Sequence, residues 1–277
     1  MMSQIKMIGI DMDGTLLTTE KAITARTQEV LKKAAEQGII ILAATGRPLS
    51  GLPQEIQAMP NIRYALTSNG ARVTDLKENK VLVEHLLNKE KGKKALEILS
   101  KYDTLQEVYY DGKGYAEADK VGLISRYHHN PYMWEYVRKT RITVPDLQAF
   151  IDEIGHDMDK VQGLFADISQ RQAALDELRQ MGGLTLVSSL HYNIEINEEG
   201  VNKGSSLIEL GAQIGIKREE IMAFGDGDND VDMIREVGFG IAMANADKQV
   251  IDVADYVTLS NDEEGVAAAI EKFVLNN

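Results

Sequence analysis

The chain has 277 residues, of which 44% are hydrophobic, and it contains no cysteine. Disulfides, thiolate metal sites and cysteine nucleophiles are therefore excluded. Lys plus Arg number 30 against 43 Asp plus Glu, a net charge of −13, which argues against a nucleic-acid backbone or an anionic membrane surface as partner. The opening MMSQIKMIGID does not read as a signal peptide, and no apolar run approaches the ~20 residues of a membrane helix. A cytoplasmic location is the expectation, and the length allows about two domains at roughly 150 residues each.

Met7 to Ile10 reads as a buried strand. Residues 24–37 carry helical spacing, with Val30, Leu31, Ala34 and Ala35 on one side and Gly38 as the stop. IIILAA (39–44) is a continuous apolar run, as expected of a strand buried on both faces. Another helix and the strand YALT (64–67) follow, and this βαβαβ order predicts a parallel sheet with right-handed crossovers. The middle of the chain, 85–190, differs in texture. EVYYDGKGYAEA (107–118) suggests a hairpin about its DGKG turn, and VQGLFADI (161–168), a helix at 170–181 and LTLVSSL (184–190) complete an α+β unit. The α/β grammar then resumes with a helix at 203–215, IMAFG (221–225), a helix at 229–236 and FGIAM (239–243). A helix at 247–252, a strand at 256–259 and a final helix at 263–274 close the chain. The expected organisation is a catalytic core of 1–84 and 191–277 holding an inserted α+β domain, 85–190.

The chemistry-bearing residues follow the core strands. KMIGI runs into Asp11-Met12-Asp13-Gly14-Thr15, IIILAA into Thr45-Gly46-Arg47, YALT into Ser68-Asn69-Gly70, and IMAFG into Asp226-Gly227-Asp228-Asn229-Asp230. Ligands of open α/β sheets bind at the carboxyl ends of strands, so four such endings point to one convergent site. Asp11 and Asp13 are two apart, which puts both side chains on one side of an extended strand. Two close carboxylates need a shared proton or a cation between them, and Mg²⁺ suits oxygen ligands and work on phosphates. The acidic cluster 226–230 would complete such a site. Gly14, Gly46, Gly70 and Gly227 would let backbone approach a ligand, and Thr45 near a helix start is a favourable anion setting. Lys203, at the start of its helix, would neutralise phosphate charge or hold Asp11 ionised and aimed.

DMDGTLL (11–17), ATGR (44–47), Lys203 and GDGDND (225–230) resemble, in order, the four motifs of the haloacid dehalogenase superfamily. The SNGA segment (68–71), the large insertion and the VNKG form of the third motif resemble its Cof-type sugar phosphatases, and within them the YidA-like branch. The resemblance implies a Rossmann-like, doubly wound parallel-sheet core with an inserted α+β cap, acting as a Mg²⁺-dependent phosphatase on small phosphorylated metabolites. Asp11 would be the nucleophile that carries an aspartyl-phosphate, and Asp13 the general acid and base. Asp11, the main-chain carbonyl of Asp13 and Asp226 would hold Mg²⁺, with Asp230 acting on it through water. Met12, Thr45, Gly46, Lys203 and Asn229 would contact the phosphoryl oxygens. The alternatives are a sugar phosphomutase on the same core and a non-catalytic phospho-acceptor; the second catalytic acid and the long insertion speak against the latter.

Other residues have plainer readings. Arg47 is expected to be a helix-start arginine paired to an acid, and Asp228 to supply charge at a helix start. Ser68 and Asn69 divide between ligand contact and turn chemistry. His128 and His129 read as surface residues or as part of the inserted domain, because adjacent helical positions share no face. Tyr127, Tyr132, Trp134 and Tyr136 read as the core of a small domain. Glu195 is a candidate contact for a sugar hydroxyl or an outward-facing strand residue. Neither the physiological substrate nor the oligomeric state is encoded in a readable motif.

Overall fold

The computed structural model describes residues 4–276. The chain divides into two compact units. The first takes in the chain up to Gly46, Pro53–Glu84 and the chain from Asn202 onward; the second comprises Arg47–Leu52 and His85–Val201. The strands are β1 Met7–Asp11, β2 Ile40–Ala44, β3 Ile62–Thr67, β4 Arg72–Asp75, β5 Lys80–Glu84, β6 Thr104–Tyr110, β7 Lys113–Glu117, β8 Arg141–Val144, β9 Lys160–Phe165, β10 Leu184–Val187, β11 Asn193–Glu198, β12 Ile221–Gly225, β13 Phe239–Ala242 and β14 Tyr256–Val257.

In the first unit, eight strands form one sheet in the order β14-β13-β12-β1-β2-β3-β4-β5. From β14 to β3 every pairing is parallel, and helices cover strands whose runs are apolar on both faces. Two further strands depart from the expected all-parallel pattern: β4 and β5 are antiparallel. β4 reverses against β3 through the short Ser68–Gly70 connection, whose residues all take left-handed φ, at 50°, 57° and 105°, and β5 reverses against β4 through the turn 76–79, which ends on Asn79 at φ 50°. A reversal this short can only join antiparallel neighbours. The core of this unit gathers Met7, Leu42, Leu66, Leu207, Leu210, Ala223 and Met233. The helix Lys203–Gln213 lies unusually close to β1, because a Cβ on Gly9 would stand 2.7 Å from Leu207 Cδ2. That approach brings the start of the helix beside the end of β1.

In the second unit a six-stranded sheet runs β10-β11-β9-β6-β7-β8, antiparallel except between β7 and β8. The DGKG hairpin forms about Asp111 and Gly112, at φ 49° and 71°, the left-handed pair that a two-residue hairpin turn requires. One face packs apolar side chains of the helices Lys89–Leu99, Leu147–Ile154 and Arg171–Met181, such as Leu96, Ile151 and Leu178, against Val108 and Val161. The boundaries differ from the expected ones in two places. Residues 191–201 belong to the second unit because β11 is zipped between β10 and β9, and Arg47–Leu52 belong there as well. Among the described residues no helix is long and apolar enough to cross a membrane.

Candidate active site

Strands β12, β1, β2 and β3 are adjacent and parallel, so their carboxyl ends share one edge of the sheet. Asp11 ends β1, Thr45 follows β2, Ser68 follows β3 and Asp226 follows β12. Lys203 is completely buried, and its Nζ lies 2.5 Å from Asp11 Oδ1 and 2.7 Å from Asp230 Oδ1. Asp230 is held on its other side too: its Oδ2 accepts from the backbone N–H groups of Asp226 at 3.0 Å and Gly227 at 3.1 Å. Asp226 Oδ1 accepts from the Thr15 hydroxyl at 2.7 Å.

Asp11, Asp226 and Asp230 bring carboxylate oxygens within 4.8 Å of one another. Three negative groups against one ammonium leave the cluster rich in negative charge. Burial, then repulsion from Asp230, pushes the Asp11 carboxyl well above the usual range. The same two causes push Asp226 up to about 7. Lys203 is driven the other way from a normal buried lysine: the pull of Asp11 and Asp230 outweighs desolvation and raises its pKa. Such a set of hard oxygen donors fits a divalent cation, whose charge would replace the protons that burial otherwise favours.

The remaining expected residues fall into place unevenly. The side chain of Asp13 stands outside the three-carboxylate group and pairs with Lys21, Nζ to Oδ1 2.8 Å. Met12 is fully buried. Asn229 donates to Asn69 Oδ1 at 3.1 Å, and both side chains are buried. That contact ties the turn after β3 to the acidic loop. Thr45 is buried, four residues ahead of the short helical turn Leu49–Gly51, and its N–H is bonded to the Leu66 carbonyl at 2.8 Å. That N–H is therefore engaged in the sheet, because β2 and β3 continue their pairing through this residue. Gly14 lies close against the acidic loop: at φ 87°, a Cβ there would stand 2.2 Å from Asp226 Oδ2. Gly70 likewise faces the Asn202 carbonyl, 2.4 Å from a would-be Cβ. Asp228 accepts from Gln249 at 2.7 Å.

In the second unit, Arg47 stands just ahead of the short helical turn Leu49–Gly51, which Pro48 caps. It is buried, with its guanidinium 4.4 Å from the centre of the Tyr136 ring, a stacking geometry that suits arginine. His128 is not at the surface: it is buried, its Nδ1 is 3.0 Å from the Tyr192 hydroxyl, and burial pushes its pKa down to about 4. Tyr127 and Tyr136 join the core beside Leu105 and Val137, while Tyr132 is exposed. Glu195 is buried as well, accepting from Lys160, Ser189 and Asn193, so it is not an outward-facing strand residue. On the same sheet Glu107 is fully buried and its Oε2 accepts from Arg141 at 2.7 Å, Gln162 at 2.8 Å and Tyr109 at 2.9 Å.

Three residues near the acidic cluster had no assigned role in the sequence reading. Thr15 lies inside the first motif, so its polarity was visible but its bond to Asp226 was not. Lys21 is a lone lysine in a polar loop, and Asn245, which donates to the Gly14 carbonyl at 2.8 Å, is 231 positions away. Nothing local marks either one.

Residues 8–270 match the haloacid dehalogenase-like hydrolase family. A 5-amino-6-(5-phospho-D-ribitylamino)uracil phosphatase of Bacillus subtilis is 32% identical, the match covering 98% of this chain and 96% of that one. A solved haloacid dehalogenase-like hydrolase from B. subtilis superposes with a TM-score of 0.87 at 26% identity, covering 98% of this chain and 100% of the other. A second, from Bacteroides thetaiotaomicron, gives 0.79 at 31% identity, covering 97% and 99%. With three motifs at the ends of adjacent strands, Lys203 bonded to Asp11, and a match along nearly its whole length, the chain belongs to the haloacid dehalogenase-like hydrolase family and is a phosphoric monoester hydrolase.

Proposed function

We propose that the protein is a Mg²⁺-dependent phosphatase of small phosphate monoesters, sugar phosphates among them, and that it works by phosphoryl transfer to Asp11. The observation that carries this reading is the buried Asp11 carboxylate, held 2.5 Å from Lys203 Nζ at a strand end beside two further carboxylates. A nucleophile must be aimed and ionised. The lysine fixes one oxygen and opposes the burial that protonates the group, and the charge of the bound cation would complete the ionisation.

In the first step an Asp11 oxygen attacks phosphorus, the ester P–O bond breaks, and Asp13 gives its proton to the departing alkoxide. In the second, water attacks phosphorus, Asp13 takes the water proton, and the bond to Asp11 breaks to release inorganic phosphate. Thr45, through its hydroxyl rather than its N–H, would contact the phosphoryl oxygens together with Lys203, Asn229 and the backbone of Met12 and Gly46. Asp11, Asp226 and the Asp13 carbonyl would hold Mg²⁺, with Asp230 positioned behind them. Bound there, the ion would supply positive charge against the phosphoryl oxygens. The relative from Bacillus subtilis is named for a phosphate ester on a ribityl chain, which supports polyol and sugar phosphates as the substrate class.

The test is a panel of phosphate monoesters assayed with Mg²⁺ or with EDTA. The reading expects inorganic phosphate release that EDTA abolishes. A panel without Mg²⁺-dependent release contradicts it, and an isomeric sugar phosphate as product assigns a mutase instead.

A further inference from the structure

Beyond Asp13 the chain turns through a three-residue loop, 19–21. The Thr18 N–H closes it on the Ala22 carbonyl at 2.9 Å, and the Lys21 N–H bonds the Thr18 carbonyl at 2.8 Å. Loops of this kind put their last residue in the left-handed region, where glycine is usual. Here that residue is Lys21, at φ 64°, a steric strain that glycine would avoid. The side chain accounts for the choice: its Nζ is 2.8 Å from Asp13 Oδ1.

The loop is anchored on several sides. Thr19 donates through both N–H and hydroxyl to the Asp262 carboxylate at 2.7 Å. Asn261 donates to the Leu17 carbonyl at 3.0 Å, and Asn245 to the Gly14 carbonyl at 2.8 Å. A lysine on an untethered surface loop gains little from an exposed acid. One fixed on an anchored turn can hold its partner in a set orientation.

We propose that Lys21 is a positioning residue for Asp13, tethering one carboxylate oxygen so that the acid–base stays aimed at the ester oxygen. This rests on the assignment of Asp13 as acid and base. Proton transfer needs heavy atoms within about 2.6–3.2 Å, and a misplacement of about 1 Å costs on the order of 100-fold in rate.

The experiment compares kcat/KM for p-nitrophenyl phosphate and for the alkyl phosphate that wild type turns over fastest. This ratio covers the steps through phosphoryl transfer to Asp11. An alkoxide needs a proton to leave and a nitrophenolate does not. Lys21→Met is expected to lose about 10- to 100-fold on the alkyl ester and less than about threefold on the aryl ester, where no acid is required. Lys21→Arg should recover most of the loss. Lys21→Gly should show the same selectivity with a Tm at or above wild type, which separates the effect from folding. Equal losses on both esters, or no loss on either, overturn the proposal. Asp13→Asn is the control. If it keeps alkyl phosphate turnover, the assignment of Asp13 fails. If it is inactive while Lys21→Met behaves as wild type, only the role of Lys21 fails.

Discussion

Replacing Lys203 with methionine keeps most of the side-chain volume and removes an ammonium that touches two buried carboxylates. Its Nζ is 2.5 Å from Asp11 and 2.7 Å from Asp230. Two charge-assisted hydrogen bonds contribute about 1.5–3 kcal/mol each. Breaking a buried ionic cluster by deleting one partner costs about 3–5 kcal/mol. Both routes give a loss of about 4 kcal/mol, or roughly 10 °C in Tm for a chain of this size. The pH dependence carries a sign. The Asp11 carboxyl is already raised by burial and by Asp230, with Lys203 opposing both. Without the lysine its folded pKa rises further above the unfolded value. A raised carboxyl stabilises the fold in acid and loses that contribution as pH climbs through the folded pKa. The deficit of the variant should therefore be smaller at pH 5 than at pH 8. Mg²⁺ should stabilise the variant more than it stabilises wild type. Urea unfolding of both proteins at the two pH values, in EDTA and in Mg²⁺, measures all of this. A deficit below about 1 kcal/mol, or one that does not move with pH, would refute the view that Lys203 compensates buried charge.

Gly14→Ala puts a Cβ 2.2 Å from Asp226 Oδ2 at φ 87°; a stability loss of about 1–2 kcal/mol and a fall in Mg²⁺-dependent kcat are expected, and unchanged kinetics would argue against tight coupling of the two loops. His128, pushed from 6.5 to about 4 by burial, stays neutral in the fold while the unfolded chain takes up the proton first. Stability should fall by about 3 kcal/mol in total as pH drops from 6.5 toward 4. His128→Gln should flatten that slope in urea titrations, and a parallel profile would contradict the assignment. Arg141→Met strands the fully buried Glu107 carboxylate, 2.7 Å from the guanidinium, and should cost about 3–5 kcal/mol. The double variant with Glu107→Leu should recover much of the loss, and an additive loss would rule out charge stranding as the cause.

What could be read from sequence follows from where information is local. Each of the buried strands β1, β2 and β12 is a short apolar run ending in acid or hydroxyl residues, so both their existence and the edge they share were visible. Antiparallel β4 and β5 were not, because the first reversal depends on three consecutive left-handed residues, Ser68 to Gly70, only one of them glycine, and the second on the left-handed Asn79. In β11 the alternation of Ile194, Glu195 and Ile196 marks a strand with one polar face. It does not show that the polar face is buried, nor that the strand pairs with β9 and β10 and so belongs to the second unit. His128 reads from sequence as a surface residue or as part of the inserted domain, and its burial was hidden for a similar reason: it packs on Tyr192, 64 positions away. Among the site residues, Asp11, Lys203, Asp226 and Asp230 were legible because all four fall in spaced motifs, whereas Lys21 and Asn245 reach the Asp13–Gly14 segment from loops with no motif of their own.

The central claim is that Asp11 becomes phosphorylated during turnover. The direct measurement is acid-quenched single turnover of a radiolabelled phosphate ester by wild type and Asp11→Asn, with peptide mapping of the label. The account predicts transient label on the peptide bearing Asp11 in wild type, and neither label nor phosphate release in the variant. Turnover by Asp11→Asn, or wild-type turnover with no label at Asp11, would contradict it.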